Sequence, residues 1–148
     1  MYNYPNMSFV LLPLHILTLG VTVIGILLAD RQATLWMRGT KQTLSKRTME
    51  RYHWWVMVGL WLMIATGFGL FWQFRVTLLA TPAFYVKMFF VAVVLVNGFA
   101  IQMLMKVAYT RTWKSLSFRE KLPLFISGAA STIGWLGAAL AATMLLPD

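Results

Sequence analysis

The residues that could do chemistry in this 148-residue chain are few: His15 in PLHILTLG, Thr66 and Gly67 in ATGFGLFW, Lys87 in PAFYVKMFF and His53 in RYHWW. A neutral imidazole ligates iron or copper through either ring nitrogen. A lysine nearby pairs with a carboxylate. Thr66 shares the His15 layer, and a glycine can leave room for a flat ring. What this set can do depends on the elements that hold it and on the solvent around them.

Composition fixes the solvent. The chain is 59% hydrophobic and 11% charged, with a mean hydropathy of +0.70, a balance that places it in a bilayer. A helix needs about 20 mainly apolar residues to cross roughly 30 Å of hydrocarbon. Four runs meet this requirement, over about 8–29, 53–73, 82–105 and 122–146. Their Leu, Val, Met and Ala content, without ten-residue alternation, favours helices over barrel strands. The sequence predicts one all-α integral membrane domain over 1–148, a four-helix bundle of up-down topology. The first run has no Lys or Arg in its flank MYNYPNM and no small-residue cleavage site before Asp30, so it is expected to be retained rather than removed as a signal peptide. There is no cysteine, which excludes disulfide and thiolate chemistry.

Eleven of the 13 basic residues fall in two segments, 30–52 and 106–121. The positive-inside rule puts both in the cytoplasm, with both termini and a short 74–81 turn outside. The net charge of +9 then reflects topology and attraction to anionic headgroups. Nucleic-acid binding is not expected, because no aromatic or helical reading surface accompanies the charge.

With orientation assigned, depth follows from the rise of about 1.5 Å per residue. On this scale His15 and Thr66 lie about 10 Å below the outer ends of their helices, and Lys87 about 6–8 Å below that of helix 3. They share one layer. His53 opens helix 2 on the cytoplasmic side, about 20 Å or more in depth from His15, too far for the two imidazoles to ligate one metal. An ionisable group inside a membrane helix is a functional candidate by default, although Lys87 can also snorkel to the outer headgroups and His15 can be satisfied by a neighbouring helix. Asn97 and Gln102 are read as interhelical hydrogen-bond donors. Gly128, Ser131, Gly134 and Gly137 on helix 4, with Gly67 and Gly69 on helix 2, allow close helix approach or form a slot for a flat ring.

Two coordination chemistries suit the layer. Haem iron is commonly held by a single histidine. Copper is the alternative, since there are 10 methionines and thioethers with imidazole suit Cu(I); Met1, Met7 and Met88 are the ones expected at the right depth. Acid–base hydrolysis is excluded, because Asp30, Glu50, Glu120 and Asp148 are the only carboxylates and all lie at edges or in loops. No zinc-ligand spacing and no phosphate loop occur. A transporter would show inverted repeats and broken helices, so a four-helix chain would serve as one only as a homo-oligomer.

The order of these features carries a resemblance: LH in helix 1, the basic end DRQATLWM, a glycine-containing helix 2, then PAFYVKMFFVAVVLVNG with Lys87. It resembles the four-helix haem-dependent protoporphyrinogen oxidases of bacteria and the related membrane domain of copper-resistance proteins. After His15 this chain reads ILTLGVTVIG where that family is aromatic-rich, and Asn97 stands near the place of a helix 3 histidine. The resemblance implies a bacterial inner-membrane protein with haem b on His15 and Lys87 as its charged companion. It also implies electron transfer involving a quinone or a porphyrin substrate. The competing expectations are a non-enzymatic scaffold or accessory subunit and a copper-handling membrane protein.

Overall fold

The computed structural model describes residues 8–145. Its elements are α1 (Ser8–Met37), α2 (Lys46–Leu79), α3 (Pro82–Leu104) and α4 (Phe118–Thr143), with short 3-10 turns at Met105–Tyr109 and Trp113–Ser115. There is no strand among the described residues. All four helices are long and apolar enough to cross a membrane.

Several helix limits differ from the hydropathy limits. α1 continues from Ala29 through the polar stretch ADRQ to Met37, and α2 begins at Lys46, ahead of His53. A helix satisfies its own backbone in water as well as in lipid, so it need not stop where the apolar run stops; here Lys46 and Glu50 add an i,i+4 ion pair at 3.7 Å. The expected 74–81 turn is likewise mostly helix. α2 passes through Phe74 with one non-helical residue (φ −109°, ψ 15°) and ends at Leu79, leaving Ala80 and Thr81 before Pro82 opens α3 at a position where its missing N–H costs nothing. α4 starts at Phe118 because Ser117 and Glu120 form a capping box. The Glu120 carboxylate accepts from the Ser117 backbone N–H at 2.8 Å and hydroxyl at 2.9 Å and also pairs with Arg111. Gly39 turns the chain after α1 with φ +78°, a left-handed conformation that costs other residues about 1 kcal/mol or more.

Large apolar side chains cover much of the exterior, and hydroxyls sit among the apolar residues inside. Phe9, Trp54, Val76, Val96 and Phe118 all point outward, Val76 at 80% exposure. Thr18, Thr22, Thr66 and Ser127 are among the buried side chains. An apolar exterior with hydroxyls among the buried side chains is expected where the surroundings are as apolar as leucine and helices associate through small residues and hydrogen bonds.

The chain forms two compact units. The first comprises residues up to Ala33 together with Lys46–Arg75. In it α1 and α2 run antiparallel, since Leu11 faces Gly69, His15 faces Gly67, Thr22 faces Gly59, and Val56 and Trp55 face Gly25. At Gly59 the helices touch so closely that an added Cβ would coincide with the Thr22 hydroxyl.

The second unit comprises Thr34–Ser45 and the chain from Val76 onward. α3 and α4 are antiparallel, joined by a reciprocal pair: Asn97 Nδ2 donates to the Ser127 carbonyl at 3.0 Å and the Ser127 hydroxyl donates to Asn97 Oδ1 at 2.7 Å. The loop segments of this unit are ordered around Trp36, only 2% exposed. Its indole N–H donates to the Arg111 carbonyl at 3.0 Å, its ring meets Trp113 edge-on at 5.1 Å, and Leu44 N–H donates to the Ala108 carbonyl at 2.8 Å.

Candidate functional site

On α1, His15, Thr18 and Thr22 recur at i, i+3 and i+7 and so share one face. That face meets α2. The Thr18 hydroxyl donates to the Leu14 carbonyl and the Thr22 hydroxyl to the Thr18 carbonyl, both at 2.7 Å, which uses the protons of these two hydroxyls within their own helix. His15 reaches across to α2. Its Nδ1 lies 2.7 Å from Thr66 Oγ1 on α2.

Proton counting assigns the roles in that contact. Thr66 Oγ1 donates to the Leu62 carbonyl at 2.8 Å, with the Met63 carbonyl a second acceptor at 3.2 Å. A hydroxyl has one proton and two lone pairs, so toward His15 it accepts. In a neutral imidazole the proton is then on Nδ1 and the basic lone pair on Nε2. The ring packs against Gly67, where an added Cβ would make an ordinary van der Waals contact with His15 Cε1 at 3.4 Å. Thr66 is buried and His15 half-buried. An imidazole held through Nδ1 with Nε2 as its basic nitrogen is the form in which histidine ligates metals, the partner at the other nitrogen fixing tautomer and orientation.

Three of the residues singled out in the sequence, His15, Thr66 and Gly67, therefore meet in one site within the first unit. His53 lies in the same unit but elsewhere: it precedes Thr66 by 13 residues on α2, about 20 Å along the axis. Lys87 belongs to the second unit, half-buried in the second turn of α3. The slot for a flat ring on α4 is corrected at two of its positions: added Cβ atoms at Gly134 and Gly137 would stand 2.7 Å from Val94 and 2.6 Å from Phe90. Those glycines serve helix packing, while Gly128 has nothing within 4 Å of an added Cβ.

For copper, no group of three or more His, Cys, Asp or Glu occurs among the described residues. Met1 and Met7 lie outside the described residues, and Met88 is in the second unit. Sequence reasoning missed Thr18 and Thr22, although their spacing from His15 is legible as a shared helical face.

Comparison with protein-family models, with curated proteins and with solved structures gives no match.

Proposed function

We propose that this chain is a multi-pass protein of a bacterial cytoplasmic membrane, an up-down four-helix bundle with both termini outside, that binds a b-type haem through His15 and works in electron transfer. The single observation that carries this reading is the hydrogen bond between His15 Nδ1 and Thr66 Oγ1 at 2.7 Å. It holds the imidazole in a fixed orientation between α1 and α2, which suits a single-histidine haem ligand.

In this reading His15 would hold the iron, Thr66 would hydrogen-bond the far side of the imidazole and fix its orientation, and Gly67 would pack against the ring. The haem supplies one-electron redox chemistry. A quinol or a porphyrinogen is the reductant class that fits a membrane site, the electrons passing onward to a quinone or another membrane acceptor. Haem and metal analysis of the protein purified from haem-replete cells tests the reading. Near-stoichiometric haem supports it; copper without haem, or neither, replaces it with copper handling or with a scaffold in which His15 and Thr66 only pack.

A further inference from the structure

Arg51, Trp54, Trp55 and Val58 line an open groove of about 330 Å³ on the first unit. The four residues stand at i, i+3, i+4 and i+7 of α2, so they form one continuous stripe. The stripe is cationic at one end and apolar along the rest. Arg51 lies just before the apolar run that begins at His53, so the guanidinium is at headgroup level and the groove leads from it toward the hydrocarbon.

The two indoles are held differently. Trp55 packs against α1, its Cγ standing 3.6 Å from an added Cβ at Gly25, and forms a fixed wall. Trp54 stands out from the helix at 70% exposure, as the outer wall. The cation is available: Glu50, the one acid in this part of α2, pairs with Lys46 at 3.7 Å. Arg47, one turn earlier on the same stripe, adds a second exposed cation. The antiparallel register brings Asp30 on α1 level with Arg51, so the neighbourhood keeps a net positive charge rather than a strongly positive one.

We infer that this groove is a binding site for an anionic phospholipid, its phosphate on Arg51 and an acyl chain along Trp54, Trp55 and Val58. The planar guanidinium fork matches phosphate oxygens. Indoles with one apolar face and one polar edge sit at the level where headgroup meets chain. A soluble phosphate would use Arg51 alone and leave the tryptophan and valine surface without a counterpart, whereas a lipid engages both. This inference does not depend on the haem reading.

The test is native mass spectrometry of the full chain released from detergent micelles titrated with phosphatidylglycerol or phosphatidylcholine. The expected result is one phosphatidylglycerol retained at least tenfold more tightly than phosphatidylcholine, a preference lost in Arg51→Gln and preserved in Arg75→Gln, whose arginine stacks on Trp72 away from the groove. Trp54→Ala, at an exposed position with helicity checked by circular dichroism, is expected to weaken phosphatidylglycerol binding several-fold. Equal retention of the two lipids, an unaltered preference in Arg51→Gln, or an equal loss in Arg75→Gln would overturn the site. Competition by millimolar inorganic phosphate would overturn the lipid assignment in favour of a simple anion site.

Discussion

His15 on α1 and Thr66 on α2 are joined side chain to side chain at 2.7 Å, and the threonine's own donation to Leu62 makes the histidine the donor. One hydroxyl thereby does two things. It ties two membrane helices together, and it decides which imidazole nitrogen is basic.

Removing that hydroxyl separates the two roles. Thr66→Val keeps the shape and deletes the acceptor, and is expected to cost about 1 kcal/mol, the usual worth of an interhelical hydrogen bond in membranes. Thr66→Ser should restore most of it. Thermal unfolding in detergent measures the loss, and if haem is bound, its midpoint potential should shift in Thr66→Val and recover in Thr66→Ser.

The α1–α2 seam is expected to be most sensitive at Gly59. An alanine there meets the buried Thr22 side chain, and overpacking of this kind costs roughly 1–3 kcal/mol. Gly20→Ala and Gly128→Ala, with nothing within 4 Å of the new methyl, should be close to neutral. Comparable melting temperatures for all three variants would contradict the close approach at Gly59.

In the second unit, Asn97 and Ser127 exchange two hydrogen bonds. Asn97→Ala and Ser127→Ala should each destabilise, and the double variant should cost less than their sum by about 0.5–2 kcal/mol, as expected for residues in one network. Additive losses would mean that the pair is not coupled.

Trp36 anchors the loops of that unit through its indole N–H. Trp36→Phe keeps most of the ring and removes the donor, leaving the Arg111 carbonyl to find another partner. A loss of about 1 kcal/mol is expected, with faster proteolysis in the loops after α1 and α3 than in the unaltered protein.

How far the sequence could be read depends on what each feature rests on. Four apolar runs separated by basic segments are a solvent-partition signal, and partition between water and hydrocarbon is coded residue by residue; hence the four helices were legible. Their ends at Met37, Lys46 and Leu79 were not, because a helix extends through polar residues that hydropathy assigns to loops. His15, Thr66 and Gly67 could be grouped by depth along their helices. Depth is one coordinate, however, and it equally suggested Lys87, which the packing places in the other unit. The glycines of α4 were ambiguous from spacing alone, since a small residue leaves room without naming what fills it; Phe90 and Val94 do so at Gly137 and Gly134.

The most direct test of the central claim is an absorption spectrum of the purified protein, oxidised and dithionite-reduced, beside His15→Ala. The account predicts a Soret band with reduced α and β bands that His15→Ala abolishes. A featureless visible spectrum from haem-replete cells, or a haem spectrum that His15→Ala leaves intact, would contradict it.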